Sequence, residues 1–371
     1  MIRCWFLACA IVIPPLLNGC AAKPPPAKPA PQYQMKLLAI PAIGINDNGE
    51  MFGAILSGKT DPSSQQPDTE TEHLAVWQNG KKRDLGMIDG TDWCQPNAIN
   101  NQGEVVGVFG PYAVRPGDTE ASEYHSFLWN GEKLLDIGTT GEAVGINNNG
   151  QAVGEKTWLD GQHGFLYSSG KMLEVKNPLG QGYSEVKAIN DRGQMVGVAV
   201  VPSNRKQIIG AVHAMFWDNG TPYEMHLPEH SGFSIYGGPR AINNSGQVVI
   251  NADDLNEPGA QSGLGVEIRC YIWQNGVVTD LGVLPGFSMS AVAINNQCQV
   301  VGNATMTGGF PQSNTTRPFL WQSGMLYDLN SLVSHKGWTM THVAGFNNRG
   351  QIIGSGEGGH KVYGFLLTPT K

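Results

Sequence analysis

Four histidines, His73, His125, His163 and His213, recur at the head of similar segments, and a recurring imidazole is what a metal centre would need first. Zinc demands donors within about 2 Å of one point. Histidines that each open a different unit cannot meet there, so their expected role is hydrogen bonding within each unit, and no metal is expected. Gly53 to Thr60 spells GAILSGKT, which matches the phosphate-loop pattern. That pattern works only when a strand passes through the loop into a helix whose N-terminus faces phosphates. Here Asp61-Pro62 and Pro67 follow, no helix starts, and no nucleotide is expected. Neither HExxH nor GxSxG occurs. Acids cluster at Asp68, Glu70 and Glu72, at Asp118, Glu120 and Glu123, and at Asp253, Asp254 and Glu257. They read as solvated loops, with a negative rim that selects cationic partners as the alternative. Aromatics recur before Ser or Thr at Tyr183, Phe233, Phe287 and Trp338, with Trp93 in the corresponding earlier place. These are candidate ligand-binding residues that would stack on sugar rings. Packing between units is the favoured role, because every junction needs it.

What must position these residues is a nine-residue phrase written seven times. It reads INDNGEMFG from Ile45, INNQGEVVG from Ile99, INNNGQAVG from Ile146, INDRGQMVG from Ile189, INNSGQVVI from Ile242, INNQCQVVG from Ile294 and FNNRGQIIG from Phe346. Asn and Asp suit the first turn positions because their side chains bond backbone two residues on. Gly sits where a short hairpin loop needs positive φ. Each phrase is therefore a tight β-hairpin. Cys298 replaces that Gly in the sixth copy, at a cost of about 1 kcal/mol if φ stays positive. A calcium loop would need a 12-residue frame with several carboxylates, and no copy has more than two acids.

Successive copies are 54, 47, 43, 53, 52 and 52 residues apart, the period of a propeller blade. Each unit continues with a variable loop and a third strand: HLAVW, HSFLW, HGFLY, HAMFW, RCYIW or RPFLW. A second Gly turn and a fourth strand follow. The seventh unit ends after YGFLLTP and lacks its fourth strand, while YQMKLLAI from Tyr33 stands alone before the first hairpin. The expectation is an all-β, seven-bladed β-propeller with four strands per blade, closed by an N-terminal strand that completes the last blade.

Residues 1–19 read as an export signal: Arg3, then an apolar stretch too short to span a membrane comfortably. Leu17-Asn18-Gly19-Cys20 resembles a bacterial lipobox, which implies cleavage before Cys20 and lipid on its sulfur. Ala21 is not Asp, which by analogy favours the outer membrane. Residues 20–34 form a Pro-rich, semi-rigid spacer, and 35–371 form the propeller. A net charge of −7 argues against nucleic acid. Cys94, Cys270 and Cys298 remain in the mature chain, without framework spacing.

The repeat phrases and the third-strand openings, of which His213-Ala214 keeps His-Ala, resemble the HAF family of bacterial extracellular repeats. The resemblance covers about 35–371 and implies an exported, propeller-like protein without established catalytic residues. The function expected is a non-enzymatic, lipid-anchored envelope module, without cofactor, that binds a protein or glycan through its long-loop face. The alternative is an extracellular polysaccharide hydrolase or lyase acting at the axial opening. Cys270 starts a third strand near the loop face and Cys298 sits in a turn on the opposite face, too far apart for the ~7 Å a disulfide requires. Alkylation with mass spectrometry is expected to find three free thiols in the mature chain; a Cys270–Cys298 bridge would overturn the strand assignment.

Overall fold

Each copy of the repeat phrase folds into one and the same turn. Its first Asn accepts, at Oδ1, the backbone N–H groups two and four residues on, as Asn190 does from Arg192 and Gln194 at 3.0 Å. The Gly takes positive φ, from 70° at Gly150 to 81° at Gly49, and Cys298 stands at 58°. The Glu or Gln after the Gly accepts a hydrogen bond from the first Asn, in the Asn46–Glu50 and Asn190–Gln194 manner at 2.7 and 2.8 Å. The three short turns between third and fourth strands at Asn79-Gly80, Asn219-Gly220 and Asn275-Gly276 have positive φ at both residues, the hairpin turn whose twist matches the strands.

The computed structural model describes residues 30–370 except 39–41, 58–70, 88–90, 92, 111–123, 159–160, 181, 202–210, 230, 233–236, 255–266, 308–315, 334–336 and 360. The lipobox with Cys20, Phe233 and most of the long loops lie outside the described residues. Within Gln32–Lys371 the chain forms seven antiparallel sheets, each a blade. From the axis outward, blade 1 is Gly44–Ile45, Met51–Ser57, Thr71–Gln78 and Lys81–Gly86. Gly53 to Ser57, the first part of the phosphate-loop look-alike, lies inside its second strand. The inner strands of blades 2 to 7 are Trp93–Ile99, Gly141–Ile146, Ser184–Ile189, Gly238–Ile242, Phe287–Ile294 and Thr339–Phe346. Each touches the inner strand of the next blade, so together they wall the axis. Blade 5 adds the short strand Ser231–Gly232, and Leu329–Leu332 is one helical turn capped by Asp328.

Closure is as the sequence implied. Tyr33–Leu38 pairs antiparallel with Lys361–Pro369, Tyr33 opposite Pro369 and Leu38 opposite Gly364, and supplies the fourth strand of blade 7. The strand begins at Tyr33, within the span read as spacer.

Between blades lie seven small cores, each filled by the buried face of one blade and the next. Phe127, Phe165, Phe319 and Phe365 are fully buried. Their rings lie against the Gly that closes the phrase: a Cβ on Gly154 would sit 1.9 Å from Glu142 O and 2.9 Å from Phe165. The inner strands bulge at this level, as between Ala143 and Gly145 or Val186 and Ala188, and bring backbone against that Gly. The third-strand His and Arg pair with acids eleven residues on. His125 Nδ1 lies 2.7 Å from Asp136, His213 Nδ1 2.7 Å from Glu224, and Arg269 Nη2 2.7 Å from Asp280. Burial raises the pKa of Cys270 to about 12.

The turns also join the blades. Asn46 Nδ2 donates to Asn100 O, and the same bond links Asn100 to Asn147, Asn147 to Asn190, Asn190 to Asn243, Asn243 to Asn295, and Asn347 to Asn46, all at 2.8–3.1 Å. A second ring passes through the next residue. The backbone N–H of Asp47 donates to Asn101 Oδ1, that of Asn101 to Asn148, and so on through Asp191, Asn244, Asn296 and Asn348 back to Asp47, at 2.7–3.0 Å. This second ring is complete.

The two rings form a girdle, and removing one of its Asn side chains leaves several buried groups without partners, each worth about 1–3 kcal/mol. Asn190→Ala is expected to lower unfolding free energy by about 3 kcal/mol in urea titrations, whereas Cys298→Gly is expected to raise it by up to about 1 kcal/mol.

Candidate functional site in the central channel

The girdle mouth encloses a cavity of about 160 Å³ lined by the first two turn residues and the preceding Ile or Phe of all seven copies. Its polar atoms are largely used. Asp47 Oδ2 accepts from Asn101 and Asn348, and Asp191 Oδ2 accepts from Asn148 and Asn244, at 2.7–3.0 Å. Each carboxylate is held by amides on both sides, which leaves this mouth little capacity for a ligand.

Deeper along the axis the blades cease to be alike. Strand alternation puts Cys94 and Pro96, Ala143, Ser184 and Val186 into the inter-blade cores. It turns the residues between them, Gln95, Asn97, Glu142, Glu185 and Lys187, toward the axis. Arg240, Ser290 and His342 occupy comparable places on blades 5, 6 and 7. His342 keeps an exposed part, and partial desolvation lowers its pKa.

On one flank, carboxyl groups converge. Asn97 Nδ2 donates to Glu142 Oε1 and to Ala143 O, both at 2.9 Å, and fixes Glu142 to blade 2. Glu155, on the second strand Ala152–Trp158, lies opposite Glu142 in the register and meets Glu185 of the next blade. Burial, then the charge of Glu185 and a hydrogen bond to it, raise the pKa of Glu155 to about 7; Lys187 opposes the rise. Lys187 Nζ sits 2.6 Å from Glu185 Oε2, both about a quarter exposed. Tyr183 lies close enough for burial, then Glu185 and Glu155, to raise its pKa.

Sibling blades show what this position does when it is structural. Asn251 accepts from Ala291 N at 2.9 Å and donates to Ala291 O at 3.2 Å; Asn303 does the same to Val343 at 2.8 and 3.1 Å. These side chains clamp the inner strand of the next blade. Blades 2 and 4 have Val108 and Val198 there. Only blade 3 carries an acid, and it faces another acid. Neighbouring carboxyls that must share a proton make a poor clamp and a good acceptor of cationic or hydrogen-bond-donating groups.

The four described aromatic candidates, Trp93, Tyr183, Phe287 and Trp338, stand at separate junctions. Trp93 is edge-on to Tyr124 at 5.8 Å. Phe287 is buried, 7% exposed, with the Arg317 guanidinium 5.1 Å from its ring centre. Trp338 is edge-on to Phe365 at 5.8 Å, and a Cβ on Gly356 would lie 2.4 Å from its ring. Phe287 and Trp338 thus pack between strands. Among the described candidates, Tyr183 alone adjoins the carboxyl cluster. The sequence signal for that cluster was the break in repetition, Gly154-Glu155-Lys156, where the other copies continue with Ala, Val, Asn or Ser.

No protein-family model and no curated protein matches this chain. Solved structures do. The β-propeller domain of the Trilobed protease from Pyrococcus furiosus, described as having an open velcro topology, is 10% identical, with a TM-score of 0.57 over 90% of this chain and 96% of that one. The uncomplexed acylaminoacyl peptidase of Pyrococcus horikoshii is 10% identical, with a TM-score of 0.54 over 92% of this chain and 53% of that one. This chain therefore spans about half of that peptidase. At such identities the likeness establishes the fold: a seven-bladed β-propeller.

A carboxyl whose folded pKa exceeds its unfolded value adds stability below the unfolded value, and the contribution disappears as pH rises through the folded value. For Glu155 that window runs from about 4.5 to about 7. Glu155→Gln is expected to gain on the parent as pH rises through the window, by about 1–2 kcal/mol once solvent screening is allowed for; urea titrations at pH 4.5 and 8 check this.

Proposed function

We propose that this chain is a HAF-type repeat protein of the bacterial outer membrane, a binding module exported by residues 1–19 and tethered by lipid on Cys20. Its ligand, a protein or glycan group, enters the channel from the end opposite the girdle. The observation that carries this reading is the gathering of Glu142, Glu155 and Glu185 where blades 3 and 4 meet, with Glu155 opposite Glu142 in the register and Glu185 paired with Lys187. Blade packing does not call for it, since sibling blades pack with Val or Asn there. An acid pair that raises a pKa and clamps nothing fits a functional group better than a structural one. The module needs no cofactor, metal, nucleotide or nucleic acid for this role.

A second reading, an extracellular polysaccharide hydrolase or lyase, is favoured by the convergence of Glu142, Glu155, Glu185, Lys187 and Tyr183.

Affinity capture from envelope extract with the mature domain tests the proposal. The parent is expected to retain a protein or glycan that the Glu155→Gln/Glu185→Gln double variant loses, with urea midpoints showing both folded. Equal capture by the two, or release of shortened polysaccharide products by the parent alone, would count against a binding role for the pair.

A further inference from the structure

The seam where blade 7 meets blade 1 holds a groove of about 580 Å³. Leu37 and Leu38 of the closing strand, Trp77 of blade 1 and Leu366 of blade 7 form its apolar lining. Trp129, Trp217, Trp273 and Trp321 stand at the same third-strand position in other blades and are buried, at 3–8% exposure. Trp77 is only half-buried. Blade 1 has an inner strand of just Gly44–Ile45, and the seam is correspondingly less filled.

Lys36, Lys82 and Arg349 stand around this lining, all exposed, and no acid is among the described lining residues. None of the three forms an ion pair among the described residues. In a chain of net charge −7 this is a local reversal of sign. The Pro-rich segment before Tyr33 is a poor occupant, because it carries Lys23 and Lys28 and no acid. We propose that the groove docks an acidic peptide segment of a partner protein, with aliphatic side chains on Trp77 and Leu37 and carboxylates spread over the three cations. Cations contributed by two strands, Tyr33–Leu38 and Lys81–Gly86, and by the turn before Ile352–Gly358 suit several carboxylates along a segment better than one head group. Charge complementarity of this kind selects partners and speeds encounter.

The probe is a short fluorescein-labelled peptide alternating Glu and Leu, followed by fluorescence polarisation on the mature domain. Binding is expected, weakened about tenfold or more when Gln replaces Glu in the peptide, and weakened to a similar degree by Lys82→Glu/Arg349→Glu. Lys171→Glu, on blade 3, should leave it unchanged. These charge variants lie on the surface, and urea midpoints confirm that they fold. Equal binding of the Gln peptide, or an unaffected Lys82→Glu/Arg349→Glu variant, overturns the proposal. So does displacement of the probe by phosphatidylglycerol vesicles, which would assign the groove to lipid. A dimer in light scattering that Lys82→Glu dissolves would assign it to a second copy.

Discussion

One side chain per blade, the first Asn of the repeated phrase, joins three levels of the structure. Its oxygen shapes the turn, its nitrogen fixes the following Glu or Gln, and the same nitrogen reaches the backbone of the next blade. These residues are 3–4% exposed, so their bonds form away from competing water and unmet groups would be expensive. Aspartate would lose the two amide donors, and serine is too short to serve both directions. The requirement for Asn is thus chemical and recurs at every copy.

The fold was legible because this chemistry is local. Asn, Gly and Glu or Gln lie within five positions of one another, and the turn they build announces itself seven times. The lone strand at Tyr33 was legible by subtraction, as the partner of an incomplete last unit. What joins one turn to the next was not legible. Asn46 and Asn100 are 54 positions apart, and nothing local in either phrase names the other as partner.

The candidate site escaped the sequence for a related reason. Glu155 and Glu185 belong to different units, and only the register of two blades brings them together. Pattern reading rewards repetition, which drew notice to the recurrent aromatics, and two of these, Phe287 and Trp338, serve packing. The informative residues were the exceptions. A position that holds Asn251 and Asn303 as backbone clamps elsewhere holds an acid at 155, and the departure matters only once the clamp is seen.

The seven backbone N–H bonds of the second ring all run the same way round, each blade donating to its successor, and the last, from Asn348, returns to Asp47 of the first. Blades therefore share one head-to-tail backbone joint at every seam. A gene duplication that adds or removes one whole unit leaves every surviving joint with a competent donor and acceptor, while a fractional insertion breaks two. The ring is in this sense a modular alphabet with one compulsory letter, and the loops and channel-facing positions between joints are where the seven units differ from one another.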